Sequence, residues 1–218
     1  LKPDAVVIVA TVRALKMHGG GPAVKPGKKL DPAYTQEDLA LVEKGCENLI
    51  AHIDIVRKSG VMPVVCINHF DTDTKDEIKL IRKVSEKHGA MFAVSNHWAK
   101  GGEGARELAE VVVAACQSEN NFNFLYDLDM PHKKRVELIA KEVYGAAGVE
   151  FSEKALEKLN SYDKDPETAR LGTCMVKTQL SLSHDPSFKG RPMGWALPVH
   201  DAMIFRGAGL VVPIAGNI

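Results

Sequence analysis

Residues 5–117 alternate between short apolar runs and longer segments of helical character. The apolar runs are residues 5–10, 63–67 and 90–94. Such runs are typical of strands that are buried on both faces of a parallel sheet. The helical segments are residues 36–59, 75–87 and 105–117, and the first repeats its apolar residues at three- and four-residue steps. The alternation predicts an α/β layer, in which helices flank a parallel sheet.

The connections that follow the three strands contain most of the unusual residues. Residues 13–29 are rich in glycine and proline and predict a loop, as do residues 68–74 and 95–104. Thr74 and Glu77 form a capping-box pattern at the start of the second helix. Because strand–helix–strand crossovers are right-handed, all three loops are expected at the carboxyl ends of the strands. Open α/β sheets bind their ligands at that edge.

The second half of the chain has a different pattern. A polar stretch at residues 117–123 indicates a boundary, which we place between domains of residues 1–118 and 119–218. Strands are predicted at residues 122–126, 173–176, 195–199 and 210–214, and helices at residues 131–144 and 152–161. The long connection at residues 177–194 is of a length that is often functional. These elements predict a smaller α+β domain.

Composition excludes several classes of protein. Lys and Arg number 28, as do Asp and Glu, so the formal net charge is zero, which argues against a nucleic-acid partner. No apolar run approaches the ~20 residues of a membrane-spanning helix. The four cysteines form no CxxC pair, so we predict no metal site and a reducing compartment.

Two groups of residues at the predicted edge could bind a ligand. His18, Gly19, Gly20 and Gly21 could bind an anion through backbone N–H groups and an imidazole, or could form a flexible turn. Phe70 and Trp98 follow the second and third strands. They could enclose a flat heterocycle, or pack beneath their loops as core residues.

Other motifs are weaker. The run at residues 100–104 is a glycine-rich turn before a helix, but the Walker A pattern GxxxxGK[ST] occurs nowhere in the 218 residues. The pairs His184–Asp185 and His200–Asp201 lack metal-ligand spacing. Ser181 and Ser183 lack the GxSxG context of a serine hydrolase.

Several long motifs resemble the formate–tetrahydrofolate ligase family. They are residues 2–20, 98–104, 124–127, 177–179 and 181–183. The motifs occur in the family's order and extend over essentially the whole chain. The chain begins at Leu1 without an initiator Met, and the resemblance is to the C-terminal portion of that ligase.

The resemblance implies an ATP-dependent ligase that joins formate to tetrahydrofolate. It implies 10-formyltetrahydrofolate as the product, formyl phosphate as the intermediate, Mg²⁺ with the ATP, and a monovalent cation, K⁺ or NH₄⁺. It also implies a P-loop NTPase-like sheet that is incomplete here, with the P-loop and most catalytic residues upstream. A cytoplasmic homo-oligomer is implied, or a mitochondrial one in a eukaryote. The alternatives are a non-catalytic folate-binding or assembly module and an unrelated α/β phosphate-binding enzyme.

The resemblance also assigns positions. They are Phe70, Val94 and Trp98 for the folate ring system, His18, Gly19 and Gly20 near the formyl phosphate, and Arg191, Pro192, Met193 and Gly194 near the nucleotide. Asp71 stands where many relatives have proline, which is expected to loosen the loop that carries Phe70.

The isolated 218-residue chain is expected to be poorly stable or to associate with itself. An open parallel sheet that lacks further strands exposes an apolar edge, which pairs readily with other chains. Size-exclusion chromatography and thermal melting test this expectation. A monomer that unfolds cooperatively would contradict it.

Overall fold

A computed structural model describes residues 2–24 and 27–216, which form two compact units that divide after residue 123. The first contains β1 (Ala5–Ala10), α1 (Val12–His18), α2 (Leu39–Lys58), β2 (Met62–Asn68), α3 (Lys75–Lys87), β3 (Met91–Ser95), α4 (His97–Lys100) and α5 (Arg106–Cys116). The assignment of residues 1–118 to a nucleotide- and folate-binding domain, and of residues 119–218 to a second domain, stays a prediction.

The first unit is built on a three-stranded parallel sheet with the order β1-β2-β3. Its core lies between the sheet and the helices α1, α2 and α3, and includes Val42, Ile53, Ile67 and Ile81. The predicted α/β layer is confirmed. All three strands end at the same edge, which we call the carboxyl edge, with the loops that follow β1, β2 and β3.

The predicted loop at residues 13–29 is wrong in its first part, because Val12–His18 form α1. The Thr11 side chain caps this helix by accepting a hydrogen bond from the Ala14 N–H at 3.0 Å. Val12 and Leu15 are buried in the core, so tertiary packing stabilises a helix that the neighbouring glycines and prolines had obscured. Residues 25 and 26 of the predicted loop lie outside the described residues.

The expectation that residues 5–10 are buried on both faces is also wrong. Val7 and Val9 are 39% and 66% exposed, whereas the middle of β2 is buried throughout. The cause is position, since β1 is an edge strand and α5 packs mainly on β2 and β3.

The predicted helix at residues 75–87 is confirmed, together with its cap. The Thr74 hydroxyl accepts from the Glu77 N–H at 3.3 Å, and a Glu77 carboxylate oxygen accepts from the Thr74 N–H at 3.1 Å. This reciprocal pair is a capping box. It fixes the point at which the loop after β2 becomes helix.

The helices α1 and α2 pack with their backbones in close contact. A Cβ atom on Gly45 would overlap the carbonyl oxygen of Leu15, and one on Gly19 would overlap the carbonyl oxygen of Leu41. Only glycine allows this approach, so the position of α1 over the sheet depends on both glycines.

The second unit contains α6 (His132–Glu142), β4 (Gly148–Phe151), α7 (Glu153–Lys164), β5 (Gly172–Thr173), β6 (Ala196–Phe205) and β7 (Leu210–Ala215). Its four strands form a mixed sheet with the order β4-β6-β7-β5, in which β6 and β7 are antiparallel. The predicted strand at residues 122–126 is wrong, since this segment is irregular and Phe124 is 65% exposed. β4 was not predicted.

Arg135 of α6 is fully buried and holds the irregular segments of the second unit. Its guanidinium donates to four backbone carbonyl oxygens, those of Leu128, Met130, Ala169 and Leu171. A buried cation needs such partners, because water no longer solvates it.

Gly45→Ala is expected to destabilise the chain by about 1–3 kcal/mol, because the added methyl group would overlap the backbone of α1. The same change inside an ordinary helix stabilises by roughly 1 kcal/mol. Gly102→Ala is the control, because no atom lies within 4 Å of its Cβ position. Thermal melts measure both, and a Gly45→Ala chain that melts higher than the parent would contradict the packing argument.

Candidate functional site

The three connections at the carboxyl edge leave the sheet from paired positions. Ala10 pairs with Ile67 at the ends of β1 and β2, and Asn68 pairs with Ser95 at the ends of β2 and β3. The His69 N–H then donates to the Ser95 carbonyl oxygen at 3.0 Å. The loops that carry the predicted aromatic residues therefore begin side by side.

Trp98 lies on the short helix α4 and is 90% exposed. This exposure contradicts the alternative in which Trp98 packs beneath its loop. The Asn96 N–H donates to the Gly104 carbonyl oxygen at 2.8 Å, and the Ser95 hydroxyl is 2.9 Å from Nδ1 of His97. The backbone of the loop is thus closed on itself while its indole projects into solvent.

Phe70 is held more firmly than Trp98. Its ring is half-buried, and the Arg13 guanidinium lies over it at 4.1 Å from the ring centroid. Arg13 Nη2 also donates to the Thr72 hydroxyl at 3.1 Å. On the same loop, the Asp73 carboxylate accepts from the Phe70 N–H at 2.9 Å. Asp71 is exposed between them.

Asp73 is a partly buried carboxyl group among charged neighbours. Burial raises its pKa above the ordinary value, against the opposing effects of the Phe70 hydrogen bond and the charges of His69 and Arg13. On the loop that carries Phe70, the Arg13 guanidinium thus lies over the ring and the Asp73 carboxylate accepts from the backbone.

Val94 is half-buried on β3, where it pairs with Ile67 and packs against the core of the first unit. The topology therefore brings all three predicted folate-contact residues, Phe70, Val94 and Trp98, to the carboxyl edge.

The glycines after α1 use their N–H groups within the chain. The N–H groups of Gly19, Gly20 and Gly21 donate to carbonyl oxygens of the last turn of α1 at 2.8–3.2 Å. Gly20 has a φ of +106°, which favours glycine. These N–H groups therefore cap the end of α1, next to the half-buried His18.

A buried ion pair connects α1 to the start of α3. Lys16 Nζ lies 2.6 Å from Glu77 Oε1, and the two side chains are 1% and 0% exposed. Lys16 also donates to the Gln36 carbonyl oxygen at 2.6 Å, and Glu77 accepts from the N–H groups of Asp38 and Thr74. The pair thus links α1, the entry to α2, and the cap of α3.

Burial alone would raise the pKa of Glu77. Hydrogen bonds from Lys16 and from the Asp38 and Thr74 N–H groups outweigh that effect and lower the pKa below its ordinary value. The carboxylate is therefore ionised at neutral pH, as the buried ammonium requires.

The predicted nucleotide-contact residues lie in the second unit. Arg191, Met193 and Gly194 are exposed, and Met193 is 77% exposed. The Pro192 carbonyl oxygen accepts from Nε1 of the buried Trp195 at 3.2 Å. Residues 191–194 are therefore held through the Pro192 carbonyl oxygen, while Met193 is exposed to solvent.

The long connection at residues 177–194 begins at a partly buried amine. Lys177 Nζ donates to the carbonyl oxygens of Thr178 and Ser181 and lies 4.7 Å from the centroid of the Tyr144 ring. Burial lowers the pKa of Lys177. These contacts order the start of the connection.

A cavity of about 650 Å³ lies beside that connection. It is lined by His184, Asp185, Pro186, Pro198, His200 and Gly216. The fold therefore brings two histidines together that the sequence separates by 16 positions.

Across residues 2–24 and 27–216, no three His, Cys, Asp or Glu side chains are grouped so that they could hold a metal ion. No helix in the described part of the chain is long and apolar enough to cross a bilayer.

Sequence reasoning missed Arg13 and Lys16 as residues of the carboxyl edge. Both were assigned to a loop, although Thr11, three positions before Ala14, is a possible helix cap. That signal could have identified α1. The pairing of Lys16 with Glu77, 61 positions away, has no local signature.

Comparisons with known proteins give one consistent result. A family profile described as formate–tetrahydrofolate ligase matches residues 1–218. Proteins named formate–tetrahydrofolate ligase from Dehalococcoides mccartyi, Lawsonia intracellularis and Desulfotalea psychrophila are 60%, 59% and 56% identical over 218, 218 and 217 residues. Each match covers 100% of this chain but only 36%, 37% and 39% of the relative. The chain thus spans little more than a third of these relatives.

Glu77→Gln is expected to destabilise the chain by about 3–5 kcal/mol, because the Lys16 ammonium stays buried without a counter-charge. Folding lowers the pKa of Glu77, so the ionised carboxylate stabilises the folded chain. This stabilisation is fully present above the pKa of the unfolded chain, about 4.3, and is lost as the pH falls through the lower pKa of the folded chain. The variant should lack this acid dependence. Urea unfolding between pH 3 and pH 7 measures both effects.

The matched control is Asp76→Asn, which breaks an exposed pair with Lys79 on the same helix. We expect a loss below about 1 kcal/mol. Equal losses in the two variants would contradict a special role for the buried pair.

Proposed function

The chain belongs to the formate–tetrahydrofolate ligase family, and we propose that it supplies the folate-binding part of an ATP-dependent ligase that joins formate to tetrahydrofolate. The observation that carries the proposal is the exposed indole of Trp98 at the carboxyl edge, next to the loop of a restrained Phe70. Because Trp98 is 90% exposed, the face of its indole is open to a ligand. The pterin ring system of folate is flat, and aromatic side chains bind such rings by stacking.

In this proposal Phe70, Val94 and Trp98 form the folate site. Phe70 and Trp98 present aromatic surface from neighbouring loops, and the aliphatic Val94 contributes from the strand beneath. Holding a flat ring between fixed groups orients its reactive nitrogen, which is how positioning lowers the barrier of a two-substrate reaction.

His18, with Gly19 and Gly20, is proposed to lie near formyl phosphate. The His18 imidazole would donate a hydrogen bond to this anion, while the glycine N–H groups hold the end of α1. Attack of a folate nitrogen on the formyl carbon then breaks the bond from carbon to the phosphate oxygen and releases phosphate. The nitrogen gives up its proton in this formyl transfer, and the released phosphate accepts it. A hydrogen-bond donor on the phosphate favours the step, because it stabilises the charge that develops on the leaving oxygen.

The nucleotide is proposed to bind chiefly through residues outside this chain. These 218 residues contain no GxxxxGK[ST] run, and the described ones form no acidic cluster suited to Mg²⁺. Arg191, Pro192, Met193 and Gly194 are proposed to contribute near the adenine. The monovalent cation, the homo-oligomer and the cytoplasmic location remain part of the proposal, and four free cysteines are in keeping with a reducing compartment.

Tetrahydrofolate is expected to quench the tryptophan fluorescence of the chain in a saturable way, because the pterin stacks on Trp98. In Trp98→Ala the quenching should disappear, and calorimetry should show an affinity at least about tenfold weaker, since 1.4 kcal/mol is a factor of ten. The buried Trp195 supplies the background signal that this variant reveals.

Trp98→Phe is the matched control, because it keeps a flat aromatic face. It should recover most of the affinity measured by calorimetry. A Trp98→Ala chain that binds as tightly as the parent would contradict the proposed folate site. A parent chain that does not bind tetrahydrofolate would show that the site needs residues outside these 218 or has been lost, which favours the non-catalytic alternative.

A further inference from the structure

One side chain connects helix α1 to the loop that carries Phe70. Arg13 lies in the first turn of α1, and its guanidinium carbon is 4.1 Å from the centroid of the Phe70 ring. Its Nη2 atom donates to the Thr72 hydroxyl at 3.1 Å. Arg13 therefore contacts both the ring and the turn that follows it.

The Arg13 guanidinium lies over the Phe70 ring, and in this position it does not use all of its hydrogen-bond donors. Arg13 Nε is buried and has no hydrogen-bond partner within residues 2–24 and 27–216. Leaving a buried donor unpaired costs free energy, so a compensating interaction must hold the group there. A planar, weakly hydrated guanidinium over an aromatic face is such an interaction.

The other hydrogen bonds at the start of the loop hold its backbone. Residues 69–74 belong to neither helix nor strand. The His69 N–H donates to the Ser95 carbonyl oxygen, the Phe70 N–H donates to the Asp73 carboxylate, and the Asp73 N–H donates to the Phe70 carbonyl oxygen at 2.9 Å. These bonds hold the backbone of the turn, whereas Arg13 contacts the Phe70 side chain.

We propose that Arg13 is a positioning residue for the folate substrate: it covers one face of the Phe70 ring and so presents the opposite face to the pterin. This inference rests on the proposed function. Arg13 acts through Phe70 and does not itself touch the substrate. Without it, the Phe70 side chain is free to take other rotamers, and folate binding must fix one of them at an entropic cost.

The test uses the complete ligase that contains this chain, with Arg13→Lys. Lysine keeps the positive charge but lacks the planar group that stacks on the ring. We expect the KM for tetrahydrofolate to rise about three- to tenfold, with kcat and the KM values for ATP and formate unchanged. A variant that was merely misfolded would lower kcat and affect all substrates.

The chain offers a matched control in Arg82→Lys. The Arg82 guanidinium lies 4.5 Å from the centroid of the Phe92 ring, so the same kind of contact is lost at another place. Its KM values should equal those of the parent. A second variant, Phe70→Leu, removes the ring, and Arg13→Lys should then raise the KM for tetrahydrofolate no further.

The outcomes separate the two proposals. An unchanged KM for tetrahydrofolate in Arg13→Lys, or an equal further rise in the Phe70→Leu background, would overturn the role of Arg13 while leaving the ligase proposal intact. A parent enzyme that makes no 10-formyltetrahydrofolate from ATP, formate and tetrahydrofolate would overturn the proposed function, and this inference with it.

Discussion

The ion pair between Lys16 and Glu77 is the interaction on which the carboxyl edge depends. Both charges are removed from water, which costs several kcal/mol for each ion unless the partners are well placed. Here a carbonyl oxygen and two N–H groups complete the pair. Few other arrangements of α1, the entry to α2, and α3 would satisfy both charges, so the pair selects one arrangement of these segments.

The consequences extend to the residues of the proposed site. α1 carries Arg13 in its first turn and His18 in its last, so fixing the helix at Lys16 places both. Glu77 also caps α3 together with Thr74, which ends the loop of Phe70. Close backbone packing at Gly19 and Gly45 then removes the remaining freedom of α1 over α2. The buried ion pair and the two glycines thus fix the positions of Arg13 and His18 at the carboxyl edge.

The two aromatic residues of the edge differ in a way that suits different roles. Phe70 is half-buried and restrained by a guanidinium, whereas Trp98 stands almost fully exposed on a four-residue helix. A restrained ring offers a binding surface at little entropic cost, and an exposed ring gains most when a ligand covers it. The asymmetry was invisible in the sequence, where both residues simply follow a strand.

Sequence patterns predicted the parallel sheet, the carboxyl edge and α3 with its capping box, because each depends on local periodicity or on a short-range hydrogen bond. They failed for α1, whose seven residues are stabilised by burial of Val12 and Leu15 rather than by propensity. They also failed for residues 122–126, whose apolar and polar residues alternate although the segment pairs with none of the described strands. They failed for β4 because four residues are too few to show a periodic pattern. They also predicted that Phe70 and Trp98 lie at the same edge of the sheet, because each follows a strand and the two strands are parallel neighbours.

The sequence by itself determined the fold class, the family and the sheet edge at which the strand-to-helix loops lie, because these depend on the order of the residues and on the identity of the motifs. Only the tertiary structure decided that the glycine N–H groups after His18 cap a helix, that Lys16 meets Glu77, and that Arg13 covers Phe70. Each of these depends on which side chains share a desolvated space. Burial determines that choice, because an unpaired charge or donor costs most where water is excluded.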